Sequence, residues 1–497
     1  MGKGIGLLLE LGAAMSGDRI AVGRGVEAIT FAQLEERATA AATYVAASDA
    51  RSVVYVGQIG PAFHVALFAS ALAGVPITSL NYRLADAQIA GLIDQLDAPL
   101  VVADEAYIAS LADRPRVYAS STLLSELPPA HDRPLPDVDD DSPAVVLFTS
   151  GTTSVPKGVV LRHSHLISYV LSTVDPGSAD EGDTALVCVP PYHVAGIGTV
   201  LTNTVAGRRV VHLADFTARD WLDAVAEERV TSAMLVPTML ARIVDELDGS
   251  QAVAPTLRSI AYGGSRIPAP VLAKALSAFP DAGFVNAYGL TETSSTIALL
   301  GPDDHRAALC GPDPAARARL SSVGRFVPGV EGEIRDDEGN VLATGSVGEL
   351  WVRGPQVSGE YLRTGSVVDE AGWFPTRDRA HLDADGYLFV EGRADDTIIR
   401  GGENIAPAEV EDVIAEHPAV REVVVVGLPD EEWGERLVAV VVARAPVAPE
   451  ELRAFVRARL RGSRTPDDII VREDELPKTP TGKLLRRELV DDLLAPR

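Results

Sequence analysis

A polar loop at residues 150–158, with the sequence SGTTSVPKG, follows the apolar run AVVLF at residues 144–148. The loop contains four hydroxyl side chains, two glycines and Lys157. Hydroxyl groups and glycine N–H groups can contact an anion at close range, and the lysine adds positive charge. It is not a P-loop, because the lysine precedes the second glycine and no Ser or Thr follows that pair. The composition predicts a phosphate-binding loop, with a polar surface turn as the alternative.

The loop and its flanks, LFTSGTTSVPKGVVLRH, resemble the signature of the acyl-adenylate-forming superfamily, which includes acyl-CoA synthetases, adenylation domains of peptide synthetases and luciferases. Six further segments match the family in the same order, so the resemblance spans essentially the whole chain. They are PPYHVAG (190–196), YGGS (262–265), NAYGLTET (286–293), GWFPTRD (372–378), EGRADDTIIRGGENIAPAEVE (391–411) and PKTPTGKLLRR (477–487). The chain is most similar to stand-alone acyl-CoA or aryl-CoA ligases, since no carrier-protein domain is expected in it.

The resemblance implies a ligase that uses ATP, Mg²⁺ and coenzyme A. A small-molecule carboxylic acid is converted to an acyl-AMP with release of pyrophosphate, and a thiol, usually that of coenzyme A, then displaces AMP. The implied fold is a large N-terminal domain and a small mobile C-terminal domain, the lid, which rotates between the two half-reactions. Two alternatives remain open: a stand-alone adenylation enzyme that loads a carrier protein, and an ATP-binding regulator without turnover.

The resemblance assigns ATP and AMP binding to residues of several motifs. Tyr288 would stack on adenine, and the Asn286 side chain would recognise the edge of the base. Asp378 matches a carboxylate that accepts hydrogen bonds from both ribose hydroxyls, as one carboxylate can, and Arg393 matches an arginine that reaches the same sugar. Either residue alone is more typical of a surface ion pair. The predicted set is Thr149, Ser150, Gly151, Thr152, Thr153, Lys157, Gly264, Ser265, Asn286, Ala287, Tyr288, Asp378 and Arg393.

Three residues carry the predicted adenylation chemistry. Thr291 and Glu292, in GLTET, match a phosphate-contacting threonine and a magnesium-ligating glutamate, and Mg²⁺ commonly takes one carboxylate together with substrate phosphates. A helix N-cap is the alternative for this segment. Lys483, in TPTGKLL, matches a lysine whose ammonium bridges the acyl oxygen and the α-phosphate, where it stabilises developing charge. A solvated surface lysine is the alternative.

By the same resemblance, His193 matches an aromatic or histidine that gates the acyl pocket, with simple packing as its alternative role. The predicted pocket residues are His193, Val194, Gly196 and Gly289. Gly196 and Gly198 are expected to open space after His193. The segment PPYHVAGIGTVL offers no obvious Asp or Arg to pair an amino group or a second carboxylate. These features favour an apolar aliphatic or aromatic acid as the substrate.

The lid residues are assigned by the same resemblance. Asp395 matches the hinge position about which the lid rotates. Gly401 and Gly402 match glycines that line the pantetheine tunnel, where a thiol chain passes close to the backbone. Trp433 matches a position near the coenzyme A nucleotide in some aryl-CoA ligases. The alternatives are a tight turn for the glycines and a core tryptophan of the small domain.

Three departures from the family pattern affect these assignments. Ser154 stands where the phosphate loop usually has glycine, and serine tolerates a positive φ less well. Arg377 replaces a glycine before Asp378, and its side chain would either contact a phosphate or point outward. The segment GSRTP (462–466) lacks the usual aromatic–Lys pair, which leaves Arg461 and Arg464 as candidates for holding the phosphates of coenzyme A.

The pattern that must position these residues is α/β. Apolar runs alternate with amphipathic stretches, which predicts packed parallel α/β sheets. The predicted strands lie at 52–57, 75–80, 99–104, 184–190, 208–213, 232–237 and 259–264, with helices at 61–74, ended by Gly74, and 84–96. Short alternating runs at 330–354 and a hairpin at 383–393 predict antiparallel strands and a small β-barrel.

The C-terminal part reads as an α+β unit. Its predicted elements are a helix that begins at Pro407, the strands EVVVVG and LVAVVVA, and a helix over 449–462. A charged, glycine-containing junction at 394–407 separates it from the preceding strands. We therefore predict an N-terminal domain at residues 1–394, with the acid, ATP and magnesium sites, and the lid at residues 395–497, with the catalytic lysine and the coenzyme A tunnel.

The composition disfavours several partner classes. The chain of 497 residues has 70 acidic and 44 basic side chains and a net charge of −26, whereas nucleic acids and anionic membranes require a basic face. Two cysteines are too few for a disulfide framework or a cysteine metal site. The N-terminal segment lacks signal-peptide features, and no apolar run is long enough for a membrane span. We expect a cytoplasmic monomer or homodimer without integral membrane association.

Replacement of Lys483 by alanine is expected to separate the two half-reactions. The lysine acts only when the lid presents it to the α-phosphate, so acid-dependent pyrophosphate release should fall by about 10²–10³. Thioester formation from supplied acyl-AMP and coenzyme A should stay near wild type. Lys478→Ala is the mild control, and Lys157→Ala should impair ATP use without this selectivity. Equal loss of both half-reactions in a folded Lys483→Ala protein would contradict the rotating-lid assignment.

Overall fold

The computed structural model describes residues 2–125, 134–149, 156–310, 314–478 and 484–495. The helices, numbered along the chain, are α1 Gly6–Ser16, α2 Phe31–Ala47, α3 Pro61–Leu72, α4 Asp86–Ile93, α5 Glu105–Ile108, α6 Thr122–Ser125, α7 His163–Thr173, α8 Val194–Ala206, α9 Ala218–Glu227, α10 Pro237–Glu246, α11 Ala269–Ala278, α12 Pro302–Cys310, α13 Pro314–Ala318, α14 Pro407–Ala415, α15 Pro449–Arg457 and α16 Arg486–Leu494. Among these described helices, none is both long and apolar enough to cross a membrane.

The strands are β1 Ile20–Val22, β2 Ile29–Thr30, β3 Ser52–Val56, β4 Ile77–Ser79, β5 Pro99–Ala103, β6 Val117–Ala119, β7 Pro143–Thr149, β8 Lys157–Arg162, β9 Thr184–Val187, β10 Arg209–His212, β11 Ser232–Leu235, β12 Ser259–Gly263, β13 Gly283–Leu290, β14 Ser295–Leu300, β15 Arg325–Phe326, β16 Glu331–Arg335, β17 Gly348–Arg353, β18 Glu360–Tyr361, β19 Gly365–Ser366, β20 Phe374–Leu382, β21 Leu388–Arg393, β22 Ile398–Arg400, β23 Glu403–Ile405, β24 Val420–Asp430, β25 Gly434–Ala443 and β26 Asp468–Arg472.

Two large mixed sheets form most of the first 326 residues. The nine-stranded sheet has the order β15-β14-β13-β12-β11-β9-β10-β1-β2, with parallel neighbours from β13 to β1 and antiparallel strands at both edges. The eight-stranded sheet has the order β19-β18-β8-β7-β4-β3-β5-β6 and is parallel from β7 to β6. The parallel centres confirm the predicted α/β pattern. The β7–β8 pair is antiparallel because its connection is too short for a helical crossover.

The predicted elements are present, with shifts at their ends. Helix α3 ends just before Gly74, whose φ of +67° suits its predicted role as the stop. The helix predicted over 449–462 is shorter, since α15 ends at Arg457. Leu460 still donates its N–H to the carbonyl of Val456 at 2.8 Å, so the difference is a frayed last turn that leaves the regular helix geometry.

The region from residue 331 to residue 393 contains a four-stranded antiparallel sheet in the order β16-β17-β20-β21. This confirms the predicted antiparallel arrangement. The described strands pair as an open sheet rather than as a closed barrel, because four short strands are too few to close around a filled interior. The β20–β21 ladder places Asp378 opposite Arg393.

The lid sheet has the order β23-β22-β25-β24, with β26 added in parallel to β25. Its two longest strands, β24 and β25, carry apolar side chains on both faces, since successive side chains of a strand alternate between the two faces. Val425 and Val441 pack in a cluster with α14 and α15, whereas Val424 and Val440 pack with Leu489 of α16 on the other face. Coverage of both faces explains the unbroken valine runs in the sequence.

A pair of histidines connects elements of the two large sheets. His64 lies in α3, which follows β3 of the eight-stranded sheet, and His212 ends β10 of the nine-stranded sheet. Their Nε2 atoms are 2.9 Å apart, so one ring donates a hydrogen bond to the other. Burial lowers the pKa of His212 to about 3, and burial together with His212 lowers the pKa of His64 well below its usual value. Both rings are therefore neutral near pH 7.

We expect the free energy of unfolding to fall as the pH drops below about 6.5, because the unfolded chain then binds protons that this buried pair does not. Each fully shifted histidine contributes a slope of about 1.4 kcal/mol per pH unit until its folded-state pKa is reached. His212→Gln retains a hydrogen-bonding partner for His64 and should make the slope shallower by about that amount. Urea unfolding between pH 7 and pH 5 measures this, and equal slopes in variant and wild type would contradict it.

Candidate active site

Asp378, in the middle of β20, has a carboxylate that is nearly removed from solvent, since only 4% of the residue is exposed. Tyr288 Oη, from β13, donates a hydrogen bond to Asp378 Oδ2, and Arg393 Nη1 donates to Oδ1 at 3.1 Å. The Asp378 N–H donates to Thr376 Oγ1 at 3.1 Å. Burial and the charge of Asp378 raise the pKa of Tyr288, which keeps the phenol a hydrogen-bond donor. Three predicted nucleotide-binding residues thus contact one another.

Glu292 is held at the same end of β13 by its backbone and its side chain. Its carbonyl accepts hydrogen bonds from the N–H groups of Ser358 at 2.9 Å and Gly359 at 3.2 Å. Its carboxylate accepts a hydrogen bond from Tyr361 Oη at 2.9 Å. Burial and the charge of Glu292 raise the pKa of Tyr361. Lys157 Nζ lies 5.9 Å from the centroid of the Tyr361 ring, so this ring stands between a predicted metal ligand and a predicted phosphate ligand.

The turn that carries Thr291 and Glu292 is strained and strongly supported. It is a 3-10 turn over Thr291–Thr293, and the next two residues, Ser294 and Ser295, have φ values of +56° and +110°. Such backbone conformations are costly for residues with a Cβ and persist only where surrounding contacts enforce them. Thr293 Oγ1 donates to the Ser295 carbonyl at 2.9 Å, and Gln356 Nε2 donates to the Thr293 carbonyl at 3.0 Å. Thr293 is fully buried and strand β14 follows the turn, so the alternative of a surface helix N-cap is wrong.

The phosphate loop is described only at its ends. Thr149 and Lys157 are paired across the β7–β8 ladder, and Thr149 Oγ1 donates to the Lys157 carbonyl at 3.4 Å. Ser150, Gly151, Thr152 and Thr153 lie outside the described residues, as does Ser154. Their contacts with phosphate stay a prediction.

The predicted adenine residues lie on or just after two neighbouring parallel strands. Gly264 and Ser265 follow β12, and Asn286 and Ala287 lie on β13, which pairs with it. Gly264 has a φ of +83°, a conformation in which glycine has no steric penalty, and Ser265 is exposed. The carboxyl ends of parallel strands are where open α/β sheets bind ligands.

His193 caps the N-terminus of α8, and its ring centroid lies 4.7 Å from that of Tyr192. Tyr192 in turn packs edge-on against Tyr82 at 5.7 Å. Val194 is the first residue of α8 and is partly buried. The histidine therefore packs in an aromatic cluster, and a gating role stays a prediction.

The glycines of the predicted acyl pocket are close to other atoms. A Cβ at Gly196 would lie 2.4 Å from the carbonyl oxygen of Pro190, and one at Gly198 would lie 3.2 Å from the Tyr169 ring. A Cβ at Gly289 would lie 1.8 Å from the Ser295 carbonyl oxygen. The expectation that Gly196 and Gly198 open space is wrong, because each permits close packing of backbone or ring. Whether Gly196 and Gly289 also line the pocket stays a prediction.

The predicted coenzyme A residues come together at one end of the lid sheet. Gly401 and Gly402, with φ values of +58° and +83°, form the exposed tip of the β22–β23 hairpin. The Gly401 N–H donates to the Trp433 carbonyl at 2.7 Å, and a Cβ at Gly401 would lie 2.9 Å from the indole. Arg400 lies over the same indole at 5.5 Å. Trp433 is 46% exposed, so the alternative of a core tryptophan is wrong.

The predicted hinge residue lies in a short connection between two strands. Asp395 lies in the 3-10 turn Ala394–Asp396 between β21 and β22. Arg486, at the start of α16, pairs with Asp396 at 3.7 Å and with Glu411 at 2.6 Å. Lys483 lies outside the described residues, so its position relative to the site stays a prediction.

The structure shows the surroundings of Arg377 and Arg464, which lie where the sequence departs from the family pattern. Arg377 has a φ of +64°, in the left-handed region that favours glycine, and its side chain points outward and is mostly exposed. Arg464 pairs with the carboxylates of Glu403 and Glu409 within the lid. Arg461 is exposed, and contact of either arginine with the phosphates of coenzyme A stays a prediction.

Two supporting residues, Tyr361 and Thr376, were not predicted from the sequence. Tyr361 lies in a short run bounded by glycines, a strand signal, but its partner Glu292 is 69 residues away in the chain. Thr376 belongs to the motif FPTRD, and its Oγ1 donates to the Leu350 carbonyl at 2.8 Å while it accepts from Asp378. The position of Thr376, two residues before Asp378 in that motif, is the sequence feature that could have identified it.

The chemistry of Glu292 fits magnesium that is held mainly by substrate. Within the described ranges, no group of three or more His, Cys, Asp or Glu side chains is arranged to hold a metal ion. A single carboxylate oriented by Tyr361 suits Mg²⁺, which usually combines one or two carboxylates with phosphate oxygens and water.

Comparison with protein families gives two matches. The model of AMP-binding enzymes matches residues 9–362, and the model of the AMP-binding enzyme C-terminal domain matches residues 409–483. A fatty acid–acyl-carrier-protein ligase of Streptomyces coeruleorubidus is 33% identical, over 88% of this chain and 86% of the relative. Indoleacetate–CoA ligase of Aromatoleum aromaticum is 32% identical, over 94% and 93%, and 2-succinylbenzoate–CoA ligase of Bacillus cereus is 31% identical, over 96% of each.

Solved structures agree with these relatives. The o-succinylbenzoate CoA synthetase of Bacillus subtilis in complex with its acyl-adenylate intermediate superposes with a TM-score of 0.85 at 28% identity, over 99% of this chain and 98% of that one. The same enzyme with ATP and magnesium gives 0.84 at 28% identity, over 97% and 98%. An amide bond synthetase of Marinactinospora thermotolerans gives 0.85 at 28% identity, over 98% and 100%. The chain belongs to the family of AMP-binding enzymes and is an AMP-forming acid–thiol ligase.

Proposed function

We propose that this enzyme activates an apolar carboxylic acid with ATP and transfers the acyl group to the thiol of coenzyme A. A carboxylate oxygen bonds to the α-phosphorus, and pyrophosphate leaves with the electron pair of the bond that breaks. The thiol sulfur then bonds to the acyl carbon, AMP leaves with the electrons of the acyl–oxygen bond, and the thiol proton passes to solvent. The observation that carries the proposal is the connected cluster of Asp378, Arg393, Glu292, Tyr361 and Lys157.

Asp378 is the proposed ribose ligand. An ionised carboxylate can accept several hydrogen bonds, so the contacts from Tyr288 and Arg393 leave capacity for sugar hydroxyls. Arg393 stabilises the ionised form, and Asp378 in turn raises the pKa of Arg393 against the opposing effect of burial. The adenine would lie beside β12 and β13, between the ring of Tyr288 and the residues Gly264, Ser265, Asn286 and Ala287.

Glu292 and Thr291 are the proposed ligands at the phosphate end. Mg²⁺, when bound, neutralises charge on the phosphate oxygens and so assists departure of pyrophosphate. Lys157 and the hydroxyl groups of residues 149–153 would contact the same phosphates. Tyr361 is a positioning residue, because its hydroxyl orients the Glu292 carboxylate without itself facing a reacting atom.

The division into a domain at residues 1–394 and a lid at residues 395–497 is part of the proposal. Its support is that two apolar clusters consist entirely of residues between Ile398 and Leu489. Asp395 would be the hinge, in the short turn that precedes the lid sheet. Lys483 would enter the site for acyl-AMP formation and leave it when the lid rotates.

The acyl pocket is proposed near the N-terminus of α8, where His193, Val194, Gly196 and Gly289 lie. The rings of Tyr192 and Tyr169 contact this region, which favours an apolar acid. The relatives are named for a fatty acid, indoleacetate and 2-succinylbenzoate, so both aliphatic and aromatic acids belong in a test.

Coenzyme A is the proposed acceptor, and a carrier protein is the alternative. The exposed indole of Trp433 beside the Gly401–Gly402 hairpin provides a face on which a nucleotide base can stack. Two of the relatives named above are CoA ligases, whereas one is an acyl-carrier-protein ligase. A carrier protein would present the same phosphopantetheine thiol without the adenine.

Glu292→Gln should lower acid-dependent ATP–pyrophosphate exchange by about 10²–10³ and raise the Mg²⁺ concentration needed for half-maximal rate, because it removes a charged ligand. Tyr361→Phe should cause a smaller loss, since the carboxylate remains. Glu338→Gln, a carboxamide substitution at an exposed residue between β16 and β17, is the matched control. Wild-type rate and Mg²⁺ dependence in a folded Glu292→Gln protein would refute the ligand assignment.

An acid panel tests the reaction and the acceptor together. ATP–pyrophosphate exchange is measured with aliphatic, aromatic, amino and dicarboxylic acids, and we expect exchange with apolar acids. Absence of exchange with every acid would favour an ATP-binding regulator. Thioester analysis with coenzyme A or a phosphopantetheinylated carrier protein then separates the acceptors, and acyl transfer to the carrier alone would overturn the coenzyme A proposal.

Trp433→Ala should raise the KM for coenzyme A about 5- to 150-fold and leave the KM for ATP unchanged, because stacking on a base is worth about 1–3 kcal/mol. Ile399→Ala is the matched control, since Ile399 is an exposed apolar residue on β22 of the same sheet. An unchanged KM for coenzyme A in Trp433→Ala would remove this residue from the acceptor site.

A further inference from the structure

Two ion pairs connect the lid to the larger part of the chain. Arg266 pairs with Asp412 on lid helix α14, and Arg444, directly after lid strand β25, pairs with Asp245 on α10 at 3.3 Å. The four side chains are each 37–45% exposed. Ion pairs of this kind are weak individually, so they can hold one orientation and still be broken during a catalytic cycle.

The Arg444–Asp245 contact borders open space. A cavity of about 400 Å³ lies between α10, α11 and Arg444, and Lys274 on α11 also approaches Asp245 at 4.0 Å. Asp245 therefore faces one cation from the lid and one from its own domain. Movement of Arg444 away from Asp245 would leave the carboxylate beside Lys274 rather than alone.

The Arg266–Asp412 contact begins next to the proposed adenine site. Arg266 directly follows Gly264 and Ser265 in the chain. Asp412 lies in the middle of α14, and α14 also contacts β21, which carries Arg393. An ion pair here therefore joins the nucleotide-binding loop directly to a lid helix.

The proposed lining of the pantetheine tunnel is exposed in the lid orientation of this structure. Gly401 and Gly402, the proposed lining of the pantetheine tunnel, form an exposed hairpin tip, and space is open within 4 Å of a Cβ at Gly402. Thioester formation requires that this hairpin face the acyl-AMP. An exposed hairpin favours an orientation that precedes that step, and the two ion pairs are present in this orientation.

We propose that Arg266–Asp412 and Arg444–Asp245 form a latch that stabilises the lid orientation used for acyl-AMP formation, and that Arg266 is a positioning residue that couples the nucleotide loop to the lid. The inference rests on the proposed function, because it assumes two half-reactions separated by lid rotation. Loss of each pair should shift the lid equilibrium about two- to fivefold, as expected for partly exposed ion pairs.

The pH of the experiment matters because Asp412 must be ionised. Burial raises the pKa of Asp412 to about 6, Arg266 opposes this shift, and Glu411 and Glu416 add to it. The carboxylate loses its charge as the pH falls through about 6 and is fully charged near pH 8. Measurements at pH 8 therefore test the latch with both partners charged.

The experiment compares Arg266→Gln, Arg444→Gln and the double variant at pH 8. Arg219→Gln, which breaks the Arg219–Asp223 pair within the large domain, and Arg472→Gln, which breaks the Arg472–Asp492 pair within the lid, are the matched controls. Acid-dependent pyrophosphate exchange should fall two- to fivefold in each single variant and further in the double variant. Thioester formation from supplied acyl-AMP and coenzyme A should not fall, and the controls should leave both rates unchanged.

A readout independent of catalysis separates the latch from the proposed function. The efficiency of energy transfer between fluorophores on the lid and on the large domain should change in the Arg266→Gln, Arg444→Gln double variant. In the charge-swap variant Arg266→Asp, Asp412→Arg, which restores an ion pair with reversed charges, the efficiency should equal that of the wild type. Unchanged transfer, or equal loss of both half-reactions, would overturn the latch. If the wild type activates no acid, the proposed function fails while the energy-transfer result still decides whether the ion pairs set the lid orientation.

Discussion

The buried carboxylate of Asp378 is the constraint around which the active-site region is arranged. An ionised carboxylate removed from water is destabilised by several kcal/mol unless charged and hydrogen-bonding groups surround it. Those groups come from two other strands: Arg393 lies opposite it on β21, and Tyr288 comes from β13 of the nine-stranded sheet. One buried carboxylate therefore connects two strands of the small antiparallel sheet with the nine-stranded sheet.

The strained turn after β13 connects the eight-stranded sheet to the region around Asp378. Positive φ angles at Ser294 and Ser295 cost about 1–3 kcal/mol each, and hydrogen bonds from Thr293 and Gln356 offset that cost. Glu292 is held by residues 358–361, whose strand β18 pairs with β8 of the eight-stranded sheet. Because Lys157 lies on β8 as well, Glu292 and Lys157 are connected through paired strands of one sheet.

The lid combines internal stability with weak attachment. Its sheet is covered on both faces by α14, α15 and α16, so its apolar surface is satisfied by its own residues. Its charged contacts with the large domain, by contrast, are partly exposed ion pairs. Polar, partly solvated contacts exchange readily with water, whereas an apolar interface would resist separation. This division of interactions is compatible with the proposed rotation of the lid between two orientations.

Local residue patterns were sufficient for the family, the reaction class and most strands, because the motifs, their order and the two-residue and 3.6-residue periodicities are all readable within short windows. They also selected Asp378, Arg393 and Glu292. They did not show that Tyr288 contacts Asp378 across 90 residues or that Tyr361 orients Glu292. They misjudged Gly196, which permits backbone packing. Each of these outcomes depends on atoms supplied by distant segments, and such contacts exist only once packing has brought those segments together.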